Sequence, residues 1–529
     1  MNRELIEDMV KTVSEEFYKL LKDSMLDLSL NKEEYEQKNK KKIELQLAIK
    51  DCIFQNDKAK SLVKENIKEI ILNKYTINNY SVNDIIDFKD IKSIPPNIKF
   101  DVLLYKYRAM FDCDALSVII DKYNLAQIRN IDGDERYVIT DDDINQIYRK
   151  ENIDLTFDEK IDIITEYIYS KYKGFGPCDE LLEMNVDGIN GGVSGTNSDN
   201  SNMHSIWIMY KGKNIHLKFL SFDNEEELRR ICLNIYKFDS PGELSKSVGY
   251  KINKMKDGSR IVVLRPDFSE SWAFFLRKFH ASNLPLEEII TANNKEQIIN
   301  LLKFITKGCN NICISGQQGS GKTTMLLNLI DFIYPVYPIR CQETSFELNM
   351  RKKFPNRNIL TIQETDEISG QRGLDLLKKT DGLINVIGEV ASDEVATQLI
   401  QSGKVASKAT LFTHHAKSTK MLIKSLRNSL LKTGVFKNEE VAEEEVSSVI
   451  NFDIHLEKDF YGNRYIEKIN ECVFDDETGE YYIQELINYS EGVYTMKNKL
   501  SDNSIKKIKK ELTSSDLNEF ELFLKDTYK

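Results

Sequence analysis

The stretch Asn311–Ile330, NICISGQQGSGKTTMLLNLI, limits what this chain can fold into more than any other. A β-prone run leads into Gly316-Gln317-Gln318-Gly319-Ser320-Gly321-Lys322-Thr323-Thr324, and an apolar pattern of helical period follows. This is the string GxxxxGK[ST] in the strand–loop–helix setting that gives it meaning. Its glycines let the backbone curl until several N–H groups face one point. The helix behind adds the positive end of its dipole, so the loop is shaped for phosphate. Lys322 is placed to reach the outer phosphates of a nucleoside triphosphate such as ATP, and the Thr323 hydroxyl to help hold Mg²⁺. An ordinary glycine turn is the plain alternative, and the flanking strand and helix weigh against it.

A chain of 529 residues is long enough for two to four domains, and a hydrophobic fraction of 41% supplies real cores. No uninterrupted apolar run approaches the length that crosses a bilayer; WAFFL is far too short. The start, MNRELIEDMVKTVSEEF, mixes acids into an amphipathic pattern and has no signal-peptide core, which predicts a cytoplasmic chain and leaves docking at a membrane open. A net charge of -11 argues against a broad non-specific nucleic-acid surface but is compatible with a local basic channel. The 8 Cys include no C-x-x-C pair and the 6 His are dispersed, so neither zinc nor disulfides are expected.

Along the chain, residues 1–154 read as a helical N-terminal module, rich in Lys, Glu, Asn and Ile. Tyr75–Val82 and Ile94–Phe100 read as loops, and the Lys40–Lys42 cluster as a solvated helix face. Residues 155–280 read as a small α+β domain: helix Ile161–Tyr172, a turn-rich stretch, a polar loop Thr196–Met203, two strands around Lys211–Lys213, helix Asn224–Tyr236, and strand-like residues 257–279. Ala281–Pro285 reads as a linker. In residues 281–485 a helix Leu286–Ile305 precedes strands and helices in alternation, the pattern of a doubly wound α/β phosphate-loop domain. A hairpin Phe452–Val473 and a short strand Tyr481–Gln484 close it, and residues 486–529 form a charged helical tail.

Hydrolysis also needs a carboxylate near the attacking water. Glu389, in LINVIGEV, stands just past an apolar strand, where the carboxyl ends of parallel strands line the ligand crevice; there it can hold Mg²⁺ through water or polarise the nucleophile. Glu343, in RCQETSFEL, ends another strand facing the same crevice. Each also reads as a solvated acid, since glutamate is common where a strand returns to water. His414 and His415 are adjacent at a strand end, so at most one of them faces the nucleotide. Arg260 and Arg277 lie outside the α/β domain; their guanidinium forks suit phosphate oxygens, and structural salt bridges are the equal alternative.

Several strings, in order over roughly residues 160–485, resemble the type II/IV secretion and pilus-assembly ATPases, particularly the CpaF-like branch of tight-adherence pilus systems. YKGFGP (Tyr172–Pro177), DGINGG (Asp187–Gly192), DGSR (Asp257–Arg260) and LRKF (Leu276–Phe279) are similar to segments of that family's N-terminal domain. ETSFEL (Glu343–Leu348) resembles its Asp box, IGEV (Ile387–Val390) its atypical Walker B, and THHAKS (Thr413–Ser418) its His box, which selects His415 over His414. SSVINFDIHLEKDFYGNR resembles its closing strands.

The resemblance implies a RecA-like ATPase with Glu343, Glu389, His415, Arg260 and Arg277 as catalytic residues, Gly316–Thr324 around ATP, and Thr323 and Glu389 at Mg²⁺. It further implies a homohexamer on the inner face of the membrane, working through inner-membrane platform proteins in pilus assembly or protein secretion. A conjugative DNA-transfer ATPase and a slow nucleotide-dependent assembly regulator are the alternatives. Thr344, Ala391, Ala409 and Lys417 depart from the family's usual residues, as does the run Leu377–Asp381.

Overall fold

The computed structural model describes residues 1–22, 32–131, 133–193, 204–238, 242–279, 285–290, 292, 294–365, 367–405, 407–475 and 477–528. Thr196–Met203 and all of Ala281–Pro285 except Pro285 lie outside them. The chain divides into two compact units, Met1–His280 and Ala281–Lys529.

The first unit joins a helical layer to one mixed sheet. Its strands are β1 (Ile128–Ile131), β2 (Asp134–Ile139), β3 (Gly188–Gly191), β4 (Ser205–Tyr210), β5 (Lys213–Ser221), β6 (Tyr250–Lys254), β7 (Arg260–Leu264) and β8 (Ala273–Arg277). They run in the order β1-β2-β5-β4-β3-β8-β7-β6. β4 and β5 turn at Lys211 (φ 47°) and Gly212 (φ 74°), the left-handed pair that a tight hairpin demands.

Two departures from the sequence reading have local causes. Residues 1–154 contain the hairpin β1–β2 as well as helices, and β2 pairs in parallel with β5 through Val138 and His216. A four-residue strand beside a six-residue one is too short to show a period against so many charged neighbours. Ile94–Phe100 is not a loop throughout, because the helix Pro96–Phe111 begins inside it. Pro96 is the first helical residue, the one position where a missing N–H costs nothing.

A cavity of about 980 Å³, with charged side chains in its wall, lies within this unit. Ion pairs such as Lys64–Glu166, Lys68–Asp162 and Lys106–Glu159 account for charges along its wall.

In the second unit the strands are β9 (Ile312–Gly316), β10 (Ile339–Glu343), β11 (Ile359–Gln363), β12 (Ile384–Ile387), β13 (Ala409–His414), β14 (Phe452–Lys458), β15 (Arg464–Phe474), β16 (Tyr481–Ser490) and β17 (Val493–Met496). Their order is β11-β10-β12-β13-β9-β14-β15-β16-β17. The first six in that row are parallel and the last three antiparallel.

Alternation along β9 sends Ile312 and Ile314 into one apolar cluster and Cys313 into another, so the sheet is covered on both faces. Helices that cross between parallel strands supply the covering. The helix expected at Leu286–Ile305 is two pieces, Leu286–Ile289 and Lys295–Lys307. β16 runs past the expected Tyr481–Gln484 to Ser490 and turns at Glu491-Gly492 into β17, so the tail expected to be helical from residue 486 begins as strand and turns helical only at Asp502. The last helix, Ser514–Thr527, packs Phe520 and Phe523 on Phe304, with Lys307 paired to Asp516 at 2.6 Å.

No helix among the described residues is long and apolar enough to cross a membrane.

Candidate nucleotide site

The site is an arc of strand ends. β9 pairs with β13 up to Ser315 opposite His414, and with β14 up to Gly316 opposite Leu456. β12 pairs with β10 up to Ile387 opposite Gln342. Residues one or two places further on therefore crowd together at the carboxyl edge of the parallel sheet, as expected for a doubly wound ligand crevice.

Gly316 leaves β9 with φ 141°, and a Cβ there would fall 2.1 Å from the carbonyl oxygen of Leu456, so no other residue fits. The loop then runs to Gly321 (φ 98°), which stands at the N-terminus of the helix Lys322–Phe332. A Cβ built on Gly319 would meet nothing within 4 Å, so the crest of the loop is open.

Lys322 is 8% exposed, and its Nζ donates to the carbonyls of Gly316 at 3.0 Å and Gln317 at 2.9 Å. Burial pulls its ammonium down to about 8, against the attraction of Glu389, which favours the charged form. The Ser320 hydroxyl is buried with no hydrogen-bond partner. Thr323 and Thr324 lie half-buried in the first turn of the helix. Gln318 is exposed on the loop, while the Gln317 amide donates to Glu457 Oε2 at 3.0 Å.

His415 lies immediately beyond β13, and its Nδ1 sits 3.2 Å from Lys322 Nζ. Its Nε2 sits 3.1 Å from Glu389 Oε1. An Nδ1 that accepts from the ammonium leaves the ring proton on Nε2, on the side of the carboxylate. His415 thus stands between Lys322 and Glu389, hydrogen-bonded to the lysine and at ion-pair distance from the carboxylate. His414 turns the other way, with Nε2 3.1 Å from Ser425 Oγ.

The turn carrying Glu389 is held on two sides. Gly388 N–H donates to Gln342 O at 2.8 Å, and Thr413 Oγ1 donates to Gly388 O at 2.6 Å. Under it lies Glu343, 3% exposed. One of its oxygens, Oε1, accepts from the N–H of Leu348 at 2.7 Å, while Oε2 is buried with no partner. Desolvation pushes its carboxyl up to about 7; the N–H of Leu348 opposes the shift and the charge of Glu347 adds to it. A carboxyl shifted up toward neutrality can take up and release a proton near neutral pH.

Gly388 permits that packing, because a Cβ there would lie 3.1 Å from Glu343 Cγ. Gly388→Ala is expected to cost about 1–3 kcal/mol by overpacking, read in a denaturant melt, and to depress any hydrolysis more than stability alone explains. A variant with the wild-type midpoint and turnover would contradict the tight contact.

Arg260 and Arg277 belong to the first unit. They are direct cross-strand partners at the ends of β7 and β8. Arg260 sits 5.8 Å from the Phe279 ring centroid, and Arg277 Nη1 lies 2.8 Å from the Met209 sulfur. Like charges opposite each other cost stability in a bare sheet, and two neighbouring guanidinium groups suit an anion.

Two residues at the loop escaped the sequence reading. Arg464 begins β15, and its Cδ passes 3.6 Å from a Cβ built on Gly321. Glu457 holds Gln317. The signal available for both was the hairpin itself, whose outgoing strand pairs with β9.

No curated protein matches the sequence. Among solved structures, the chain is similar to the VirB11 ATPase of the Brucella suis type IV secretion system, at 16% identity over 54% of this chain and 88% of that one, with a TM-score of 0.30. It is similar to the Legionella pneumophila ATPase DotB at 16% identity over 57% and 81%, with a TM-score of 0.41. The pilus retraction motor PilT matches at 14% identity over 66% and 88%, with a TM-score of 0.38. Residues 260–450, a stretch holding Arg260, the phosphate loop, Glu343, Glu389 and His415, match the family model for Type II/IV secretion system protein, and that match supports a place for this stretch in the family.

Proposed function

We propose that this chain hydrolyses ATP as a ring-forming motor for pilus assembly or protein secretion, of the CpaF-like kind. The observation that carries the reading is the chain from Lys322 through His415 to Glu389, set beside the buried carboxyl of Glu343. The loop fits a triphosphate: its crest is open at Gly319, and Lys322 lies over it on two carbonyls. The Thr323 hydroxyl, and Glu389 through water, would hold Mg²⁺, which would supply charge that neutralises the phosphates.

The chain's own groups do the rest. Lys322 exchanges the carbonyls of Gly316 and Gln317 for phosphate oxygens. Glu343 takes the proton of the attacking water on Oε2. His415 ties the position of Glu389 to that of Lys322, so departure of the lysine toward phosphate frees the histidine and reports nucleotide binding. Arg260 and Arg277 are assigned to the outer phosphate in a closed state. On this reading the RecA-like unit works as a homohexamer at the cytoplasmic face of the inner membrane, and platform proteins receive its motion.

Sedimentation of the full chain with and without a non-hydrolysable ATP analogue tests the ring, and a hexamer is expected with the analogue. Arg260→Ala and Arg277→Ala are each expected to lower kcat roughly 10²-fold while nucleotide affinity changes little. A monomer under every nucleotide condition, with the arginine variants fully active, would overturn the motor. A hexamer whose slow turnover is untouched by Glu389→Gln would point instead to a nucleotide-dependent assembly regulator.

A further inference from the structure

The antiparallel pair β14–β15 is irregular beside the phosphate loop. His455 pairs with Lys468 and Leu456 with Ile466, which leaves Glu467 as an extra residue outside the ladder. A bulge of this kind re-aims side chains. His455 and Glu457 already share a face of β14 as residues i and i+2, and the bulge brings Glu467 to them. His455 Nε2 lies 3.3 Å from Glu457 Oε1 and 3.8 Å from Glu467 Oε2. One ligand atom from each of the three residues lies within 4.8 Å of the others. The imidazole is 2% exposed, while the carboxylate side chains are 31% and 34% exposed, so the cluster opens to water on one side.

The atoms facing away from the cluster are also held. His455 Nδ1 is 2.7 Å from Ser315 Oγ, and Glu457 Oε2 accepts from Gln317 Nε2 at 3.0 Å. Outer partners that fix the far atom of an imidazole or carboxylate are what orient metal ligands. Both partners come from the end of β9 and the loop that follows it.

We propose that His455, Glu457 and Glu467 form a binding site for a divalent transition-metal ion of the Zn²⁺ or Mn²⁺ class, separate from the Mg²⁺ that accompanies ATP. One imidazole and two carboxylates are donors for such ions, and three protein ligands leave room for water. An ion there holds His455 and Glu457, and through them Ser315 and Gln317, so it braces the phosphate loop. The competing account is a His455 hydrogen-bonded to Glu457 that takes up no metal.

Titration of the nucleotide-free full chain with Co²⁺, followed by visible absorption, separates the two. Uptake of about one equivalent is expected, with affinity falling roughly 10–100-fold in Glu467→Gln and Glu457→Gln. Zn²⁺ is expected to raise the melting temperature of the wild type and not of either variant. No Co²⁺ uptake by the wild type, or equal affinity in Glu467→Gln, would overturn the site. Since no nucleotide is present, neither result bears on ATP hydrolysis.

Discussion

Lys322→Ala is expected to lower ATP turnover roughly 10²–10³-fold and to weaken nucleotide binding. The lysine is the cation of the phosphate loop, buried and already partly stripped of water. On the proposed function it therefore meets phosphate oxygens at a lower desolvation cost than a surface lysine pays. Its removal also strips the carbonyls of Gly316 and Gln317 of their donor and unties His415 from the loop. Because that loss disturbs the loop's shape, Lys322→Met belongs in the same series: it keeps the stem in place and removes only the charge. Phosphate release assays and nucleotide titrations read both variants. Full turnover in Lys322→Met would show that the loop does not act on a triphosphate at all.

Glu343 carries the second large effect. With its carboxyl near 7, kcat/KM for ATP is expected to fall about tenfold per pH unit below that value, because a base works only when deprotonated and kcat/KM reports the free protein. Glu343→Gln is expected to cost roughly 10²–10⁴-fold and to abolish that acidic limb. A limb that survives in Glu343→Gln would assign the base elsewhere.

Stability gives an independent reading of the same group. The folded protein holds this proton more tightly than the unfolded chain does. Its contribution is therefore complete below the ordinary carboxylate value of 4.5 and is lost as pH rises through about 7. At pH 8 the buried carboxylate is a burden, and Glu343→Gln should unfold later by roughly 2–3 kcal/mol. A variant that is more stable yet far less active is the expected signature of a group kept for chemistry rather than packing.

Much of the second unit was legible because its signals are local. Apolar runs of strand length alternate with helical periods, and Gly316, Gly319 and Gly321 stand where the backbone takes positive φ. β9 ends at Gly316, where the sequence places the passage from strand to phosphate loop. The rest lacked a local signal. Charged residues masked β1 and β2, and the helix Glu439–Val449, an acidic segment with a buried face of Ala442, Val446 and Val449, was not foreseen. What the sequence presents as one continuous helix ends a first time where Ile290 turns extended and starts again at Lys295.

By itself, then, the sequence determined that a strand, a glycine loop and a helix form a phosphate cradle, since backbone freedom at glycine and side-chain period are properties of neighbouring residues. It also named the acids and the two histidines, but not their surroundings. Tertiary structure decided that Glu343 lies desolvated beneath Gly388, that His415 contacts both Lys322 and Glu389, and that a one-residue bulge turns Glu467 toward His455. Burial, register and the hydrogen bonds that depend on them come from strands distant in the chain. A carboxyl's proton affinity follows from them, and no reading of its neighbours in sequence can supply it.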